Sequence, residues 1–270
     1  MIETTINTGG KLLSLSKPLV MAIVNATTDS FAYRCRNISE AEILRVTAKA
    51  IQEGADIIDV GGCSTRPGSM PVSAEEEWRR LDIALRAIRR TYPKAIISAD
   101  TFRADIARKA VEIYGVDIIN DVSGGGDPEM FRTVAELGVP YILTHNCDLK
   151  EGDIVVQVLD FFVRKSDELH RLGVKDVIVD PGFGFKKTEA QNYELLHRLA
   201  DLKHVQLPIL VGLSRKSMFY KPLQTTPDSN LSLEATTKAH LEALQAGANI
   251  LRVHDVAEAR KVVQNTEYRI

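Results

Sequence analysis

Short apolar runs recur along the chain, and between them lie longer stretches whose apolar positions return every three or four residues. The runs are VMAIVN (20–25), DIIDV (56–60), AIISAD (95–100), VDIIND (116–121), VPYILTH (139–145), VIVD (177–180), PILVGLS (208–214) and NILRVHD (249–255). Their length and β-branched content predict eight buried strands. The intervening segments predict helices near 39–53, 73–91, 103–113, 128–137, 151–172, 189–200, 230–246 and 256–266. Ser39, Ser73 with Glu76 three residues on, Asp127 before Pro128, and Thr188 stand where helix N-caps belong. Ahead of all this, NTGG (7–10) predicts the turn of a short N-terminal hairpin. Eight strand–helix units fill a chain of the length typical of a (β/α)8 barrel, about 250 residues. A doubly wound open sheet would carry a glycine fingerprint after its first strand, and MAIVNATTDSF has none. The expectation is therefore one barrel domain spanning 1–270, with no linker or low-complexity break.

Composition narrows the function classes. Hydrophobic residues make up 44% of the 270, enough for a large core, and no apolar run reaches the ~18 residues of a membrane span. The N-terminal MIETTINTGGKLL has no basic and apolar halves of a secretory signal, so the reading is a soluble, cytoplasmic protein without a membrane partner. A net charge of −2 gives no global attraction to nucleic acid. Any bound anion must be held by local groups.

A barrel builds its active site at the C-terminal strand ends. Those ends carry Asn25, Asp59, Asp100, Asn120 with Asp121, His145, Asp180, Ser214 followed by Arg215 and Lys216, and Arg252, His254 and Asp255. Any one of them could simply cap the following loop. Together they predict a polar ring around one barrel mouth. After Asp180, the turn residues of PGFGFKKT (181–188) predict a sharp bend that aims the carboxylate into that mouth. Arg252 and His254 stand two apart on a strand and so share a face.

MAIVNATTDSF (21–31), DIIDVGGCSTRPG (56–68), DTF (100–102), INDVSGG (119–125), DPGFGFKKT (180–188), GLSRKS (212–217) and RVHDV (252–256) resemble, in order, the successive signatures of the dihydropteroate synthase family. The resemblance covers nearly the whole chain. It implies a barrel that condenses 6-hydroxymethyl-7,8-dihydropterin pyrophosphate with p-aminobenzoate in folate synthesis, a Mg2+ cofactor, a homodimer and sensitivity to sulfonamides. It assigns Asp100, Asn120, Asp180 and Lys216 to the pterin, with Phe185 and Ser214 beside it, because carboxylates and amides complement an aminopyrimidinone edge. Arg66, Lys216, Arg252 and His254 become the catalytic set, with the arginines and the histidine on the departing pyrophosphate and Asn25 on Mg2+. Phe31 and the Ser64-Thr65-Arg66-Pro67 run are assigned to loops that close over p-aminobenzoate.

Several positions depart from the family pattern. NATTDSF stands for NVTPDSF, AYRCRN (32–37) for a glycine-rich stretch, Cys63 for a glutamate, THNCDLKEG (144–152) for a longer loop, and Lys186 for a glycine. These changes keep open a pterin-binding homologue without turnover; a related barrel, the pterin-dependent methyltransferase domain, is a further alternative, although such domains have little use for Arg66, Arg252 and His254 converging on a pyrophosphate. Cys35, Cys63 and Cys147, with His145, could also form a soft metal site, although structural zinc ligands usually come in close sequence pairs.

Overall fold

Alternate residues of a strand face opposite ways, and that simple rule sorts nearly every strand side chain of this protein. The computed structural model describes residues 4–26, 39–63 and 72–267. Eight parallel strands form the ring: β3 (Leu19–Asn25), β4 (Ile57–Gly61), β5 (Ile96–Asp100), β6 (Ile118–Asp121), β7 (Tyr141–Thr144), β8 (Val177–Asp180), β9 (Leu210–Val211) and β10 (Ile250–Val253). Their order is 8-7-6-5-4-3-10-9, and a parallel bridge between Val179 and Ile209 joins the two ends into a (β/α)8 barrel. The helices are α1 (Glu40–Gln52), α2 (Ala74–Thr91), α3 (Ala104–Tyr114), α4 (Met130–Leu137), α5 (Ile154–Arg171), α6 (Glu189–His197), α7 (Ser217–Tyr220), α8 (Asn230–Ala246) and α9 (Val256–Glu267).

One parity of the strands points outward. Val20, Ala22, Val24, Ile58, Val60, Ile97, Ala99, Ile119, Leu143, Val179, Leu251 and Val253 pack with the helices in one large core. The other parity fills the barrel. Met21, Ile57, Ile118, Ile142, Ile178, Leu210 and Ile250 form a second cluster, with Ile96 against it. The hairpin of β1 (Thr5–Thr8) and β2 (Lys11–Ser14) lies at that end of the barrel, where Ile6 and Leu15 join the same cluster. Its two-residue turn, Gly9–Gly10, has φ of 58° and 85°, the left-handed pair that a tight hairpin turn demands. No helix among the described residues is long and apolar enough to cross a membrane.

Ser39, Ser73 and Thr188 cap their helices as expected, Thr188 in a reciprocal capping box with Gln191. Asp127 does not cap α4. The helix starts at Met130 after Glu129, and Asp127 instead accepts from the backbone N–H groups of Ala104 and Glu129. The segment near 189–200 divides into α6 and a 3-10 helix at Leu199–Val205. The run 208–214 keeps only Leu210–Val211 as strand, and α7, too short to show a periodicity, follows it.

Candidate active site

Directly above the aliphatic layer, the inward positions turn polar. Asp59 pairs in register with Ser98, which pairs with Ile118, and one step higher Gly61, Asp100 and Asn120 line up across β4, β5 and β6. Asp59 is fully buried, and Asp100, Asn120 and Asp180 are 8%, 4% and 7% exposed. Arg252, inward on β10, ties the layer together. Its Nε donates to Asp59 Oδ2 at 2.7 Å and its Nη2 to Asp100 Oδ2 at 2.6 Å. Asn120 Nδ2 donates to the same Asp59 oxygen at 3.1 Å. One guanidinium thus serves two buried carboxylates, with Asp180 close enough to add to its field. Burial opposes the charge on Arg252, but those carboxylates hold it protonated above the usual arginine range.

Burial also raises the Asp100 carboxyl to about 7; Arg252 pulls it down, while Asp59, Asp121 and Asp180 push it up. Asp180 is likewise raised by burial, against the Gly182 N–H and the cations Lys216, Arg252 and Lys187. The mouth therefore sets a carboxyl whose charged form burial opposes beside a guanidinium that stays charged.

The turn after β8 aims Asp180 as the sequence predicts. The Gly182 N–H donates to Asp180 Oδ1 at 2.8 Å, and Gly182 has φ of 70°. A β-carbon there would lie 2.1 Å from the His145 carbonyl oxygen, so only glycine lets the turn press against the end of β7. Phe185 reaches across to Lys216, whose Nζ sits 4.4 Å from the ring centroid. Ser214 is buried, and its Oγ meets the His254 backbone N–H at 3.2 Å and Nδ1 at 3.1 Å, which orients an otherwise exposed imidazole at the rim. Asn25 ends β3 on the inward parity, opposite Gly61.

Other members of the predicted polar ring face outward. Asp121 accepts from Ser123 N and Oγ, from Gly125 N and from Tyr141 Oη, fixing the loop after β6. His145 is buried edge-on against Phe161, and burial lowers its pKa to about 4. Arg215 makes two 2.7 Å bonds to Asp255, which locks the loop before α7 to the start of α9. These groups support the mouth from behind. Asp59 is the reverse case: it was one strand end among many in the sequence, yet it is the hub joining Arg252 to Asn120. Its inward parity with Asp100 and Asn120 was the available signal.

Phe31, Cys35, Ser64, Thr65, Arg66 and Pro67 lie outside the described residues. Among the described residues no group of three or more His, Cys, Asp or Glu could hold a metal ion; Cys63 is buried and Cys147 half-buried. Two hollows of about 260 and 250 Å3 flank the hairpin at the opposite end of the barrel, lined in part by Lys11 and Arg89 and by Asn7 and Asp176. Neither touches the polar layer.

Residues 21–254 match the family model described as pterin binding enzyme. The dihydropteroate synthase of Escherichia coli (strain K12) is 38% identical over 270 residues, covering 95% of this chain and 94% of that protein. The structure of Xanthomonas albilineans dihydropteroate synthase with 4-aminobenzoic acid superposes with a TM-score of 0.91 at 34% identity, over 99% of this chain and 98% of that one. That of the Yersinia pestis enzyme with a sulfonamide drug gives 0.90 at 32% identity, over 98% of each.

Proposed function

The chain belongs to the dihydropteroate synthase family of pterin-binding enzymes, and from that membership we propose how its barrel mouth works. The reaction joins 6-hydroxymethyl-7,8-dihydropterin pyrophosphate to p-aminobenzoate. The C–O bond to pyrophosphate breaks, a C–N bond forms, and the amine gives up one proton. The relatives reported above carry the synthase name, which sets the methyltransferase alternative aside.

The observation that carries the site assignment is the buried inward set Asp100, Asn120 and Asp180, with Lys216 half-buried at the rim. On this reading Asp180 accepts from the 2-amino and N3 edge of the pterin, Asn120 supplies a mixed donor and acceptor, and Lys216 donates toward the ring. Phe185, held under Lys216, forms a wall beside the ring. Arg252 keeps Asp59 and Asp100 in place and contributes fixed positive charge as pyrophosphate departs. His254, oriented by Ser214, faces the departing group at the rim. Arg66 joins it, with Thr65 and Pro67 beside the amine, on the strength of the family resemblance. The electron-rich dihydropterin stabilises the methylene cation, so no nucleophilic side chain is required.

The donor set fits Mg2+ held mainly by the substrate. Mg2+ keeps several waters and binds through one or two protein oxygens plus phosphates, and the inward Asn25 supplies one such oxygen. When bound, the ion neutralises charge on the pyrophosphate. We also propose a homodimer and a cytoplasmic location, on the family resemblance.

The deciding experiment is pyrophosphate release from the pterin substrate with and without p-aminobenzoate. Release that requires the amine, and is competed by sulfonamides, supports the reading. Background release together with tight pterin binding by calorimetry would support the binding-only homologue.

A further inference from the structure

The turn 181–187 ends in two lysines whose fates differ. Lys186 points outward to Asp148 at 2.9 Å. Lys187 points inward, and its ammonium lies 3.0 Å from His145 Nδ1, 3.1 Å from the carbonyl oxygens of His145 and Gly182, and 3.2 Å from that of Phe185. An ammonium has three donors, so these four acceptors share it and satisfy it, with no carboxylate among the described residues in contact. Two acceptors belong to the residue after β7 and two to the turn itself. The cation is a rivet between neighbouring strand ends.

What the rivet holds is the presentation of the mouth. Gly182, whose carbonyl accepts from Lys187, donates its own N–H to Asp180. Phe185, whose carbonyl also accepts, presents its ring to Lys216. On the far side of the turn, Asn192 of α6 accepts from the Gly184 N–H at 2.7 Å and donates to the Thr188 carbonyl at 2.7 Å. The turn is thus clamped from two directions, by an amide on the helix side and by a charge on the barrel side. We propose that Lys187 is a positioning residue for the pterin substrate, holding Asp180 and Phe185 in their binding geometry through the backbone of the turn. This rests on the function proposed above. Burial lowers the Lys187 pKa to about 8, with Asp180 working in the opposite direction, so the ammonium persists near neutral pH at a desolvation cost.

The test is Lys187→Met, which keeps the stem and removes the charge, read in two independent ways. Hydrogen exchange without substrate should speed up at least about tenfold in the peptide covering 181–185 and remain unchanged in the barrel strands. In turnover, KM for the pterin pyrophosphate should rise at least about tenfold, with KM for p-aminobenzoate moving less than about twofold. A general loss of folded protein would lower the apparent kcat and leave both KM values alone. If the Met variant does not fold, Lys187→Gln, which keeps an amide donor group without the charge, is measured the same way. A folded variant with unchanged exchange and unchanged pterin KM overturns the proposal. So does failure of both variants to fold, since Lys187 would then serve the whole fold rather than the turn. An inactive wild-type enzyme would instead overturn the synthase reading and leave the exchange result standing.

Discussion

Replacing Asp59 by Asn tests whether one buried carboxylate organises the mouth. The side chain is fully buried, its Oδ2 accepts from Arg252 and Asn120, and its Oδ1 has no hydrogen-bond partner among the described residues. An asparagine can still present an oxygen to Arg252, but a neutral acceptor gives roughly half of a charge-assisted bond, itself about 1.5–3 kcal/mol. Arg252 also keeps Asp100, so the change falls short of the ~3–5 kcal/mol of stranding a buried ion. The expected loss of stability is about 1–2 kcal/mol by urea unfolding. A second consequence has a definite sign. Asp59 is among the charges that raise the Asp100 carboxyl, and without it Arg252 acts on Asp100 with less competition, so the Asp100 midpoint should fall below about 7. Carbon NMR of aspartate carboxyls across a pH titration reads it directly. An unchanged or higher midpoint in a folded Asp59→Asn variant would refute the hub.

Asp180→Asn should keep the fold and weaken pterin binding by about 2–4 kcal/mol in calorimetry, since one acceptor becomes a mismatched donor in a buried site. Lys186 has φ of 47°, so Lys186→Gly should be more stable than Lys186→Ala by about 0.5–1 kcal/mol in thermal unfolding, reversing the usual order. His240 is buried, its Nε2 has no partner among the described residues, and burial lowers its pKa to about 4. The unfolded chain therefore binds the extra proton, and stability is lost as pH falls from about 6.5 toward 4. His240→Met should be less acid-sensitive than the wild type by about 2 kcal/mol between pH 7 and pH 5, measured by urea unfolding at both.

The barrel was legible because its outward strand positions are almost uniformly apolar and several of its helices, α1, α2 and α6 among them, carry their caps in sequence. Strand ends were legible as a polar ring, but the ring is two rings. Asn120 and Asp121 are neighbours in sequence, and the pleat sends one to the mouth and the other to the loop held by Tyr141. Counting alternately from the inward Ile118 would have separated them, and from Ile142 the same count sends His145 outward. No periodicity reveals how far a side chain reaches. Arg252 stands on the predicted face, yet its length takes it sideways to carboxylates on two other strands, and Lys187 folds back under its own turn. Such contacts depend on which strand ends the closed ring makes neighbours, information carried by topology rather than by local pattern.

The division of labour between the two rings explains how a mouth lined by charge can be built on an apolar barrel. Burial first, and then the charges of Asp59, Asp121 and Asp180, raise the Asp100 carboxyl. One long cation, Arg252, offsets the repulsion, while the aliphatic layer below and the helices outside supply the stability that the polar layer does not. The outward ring then converts that stability into aim: Asp121 fixes the loop after β6, and Arg215 and Asp255 fix the approach to Lys216 and His254, while the inward-pointing Lys187 fixes the turn that carries Asp180. A substitution in the inward ring should therefore change affinity or protonation at the site itself. One in the outward ring should act through backbone order, and hydrogen exchange distinguishes the two before any substrate is added.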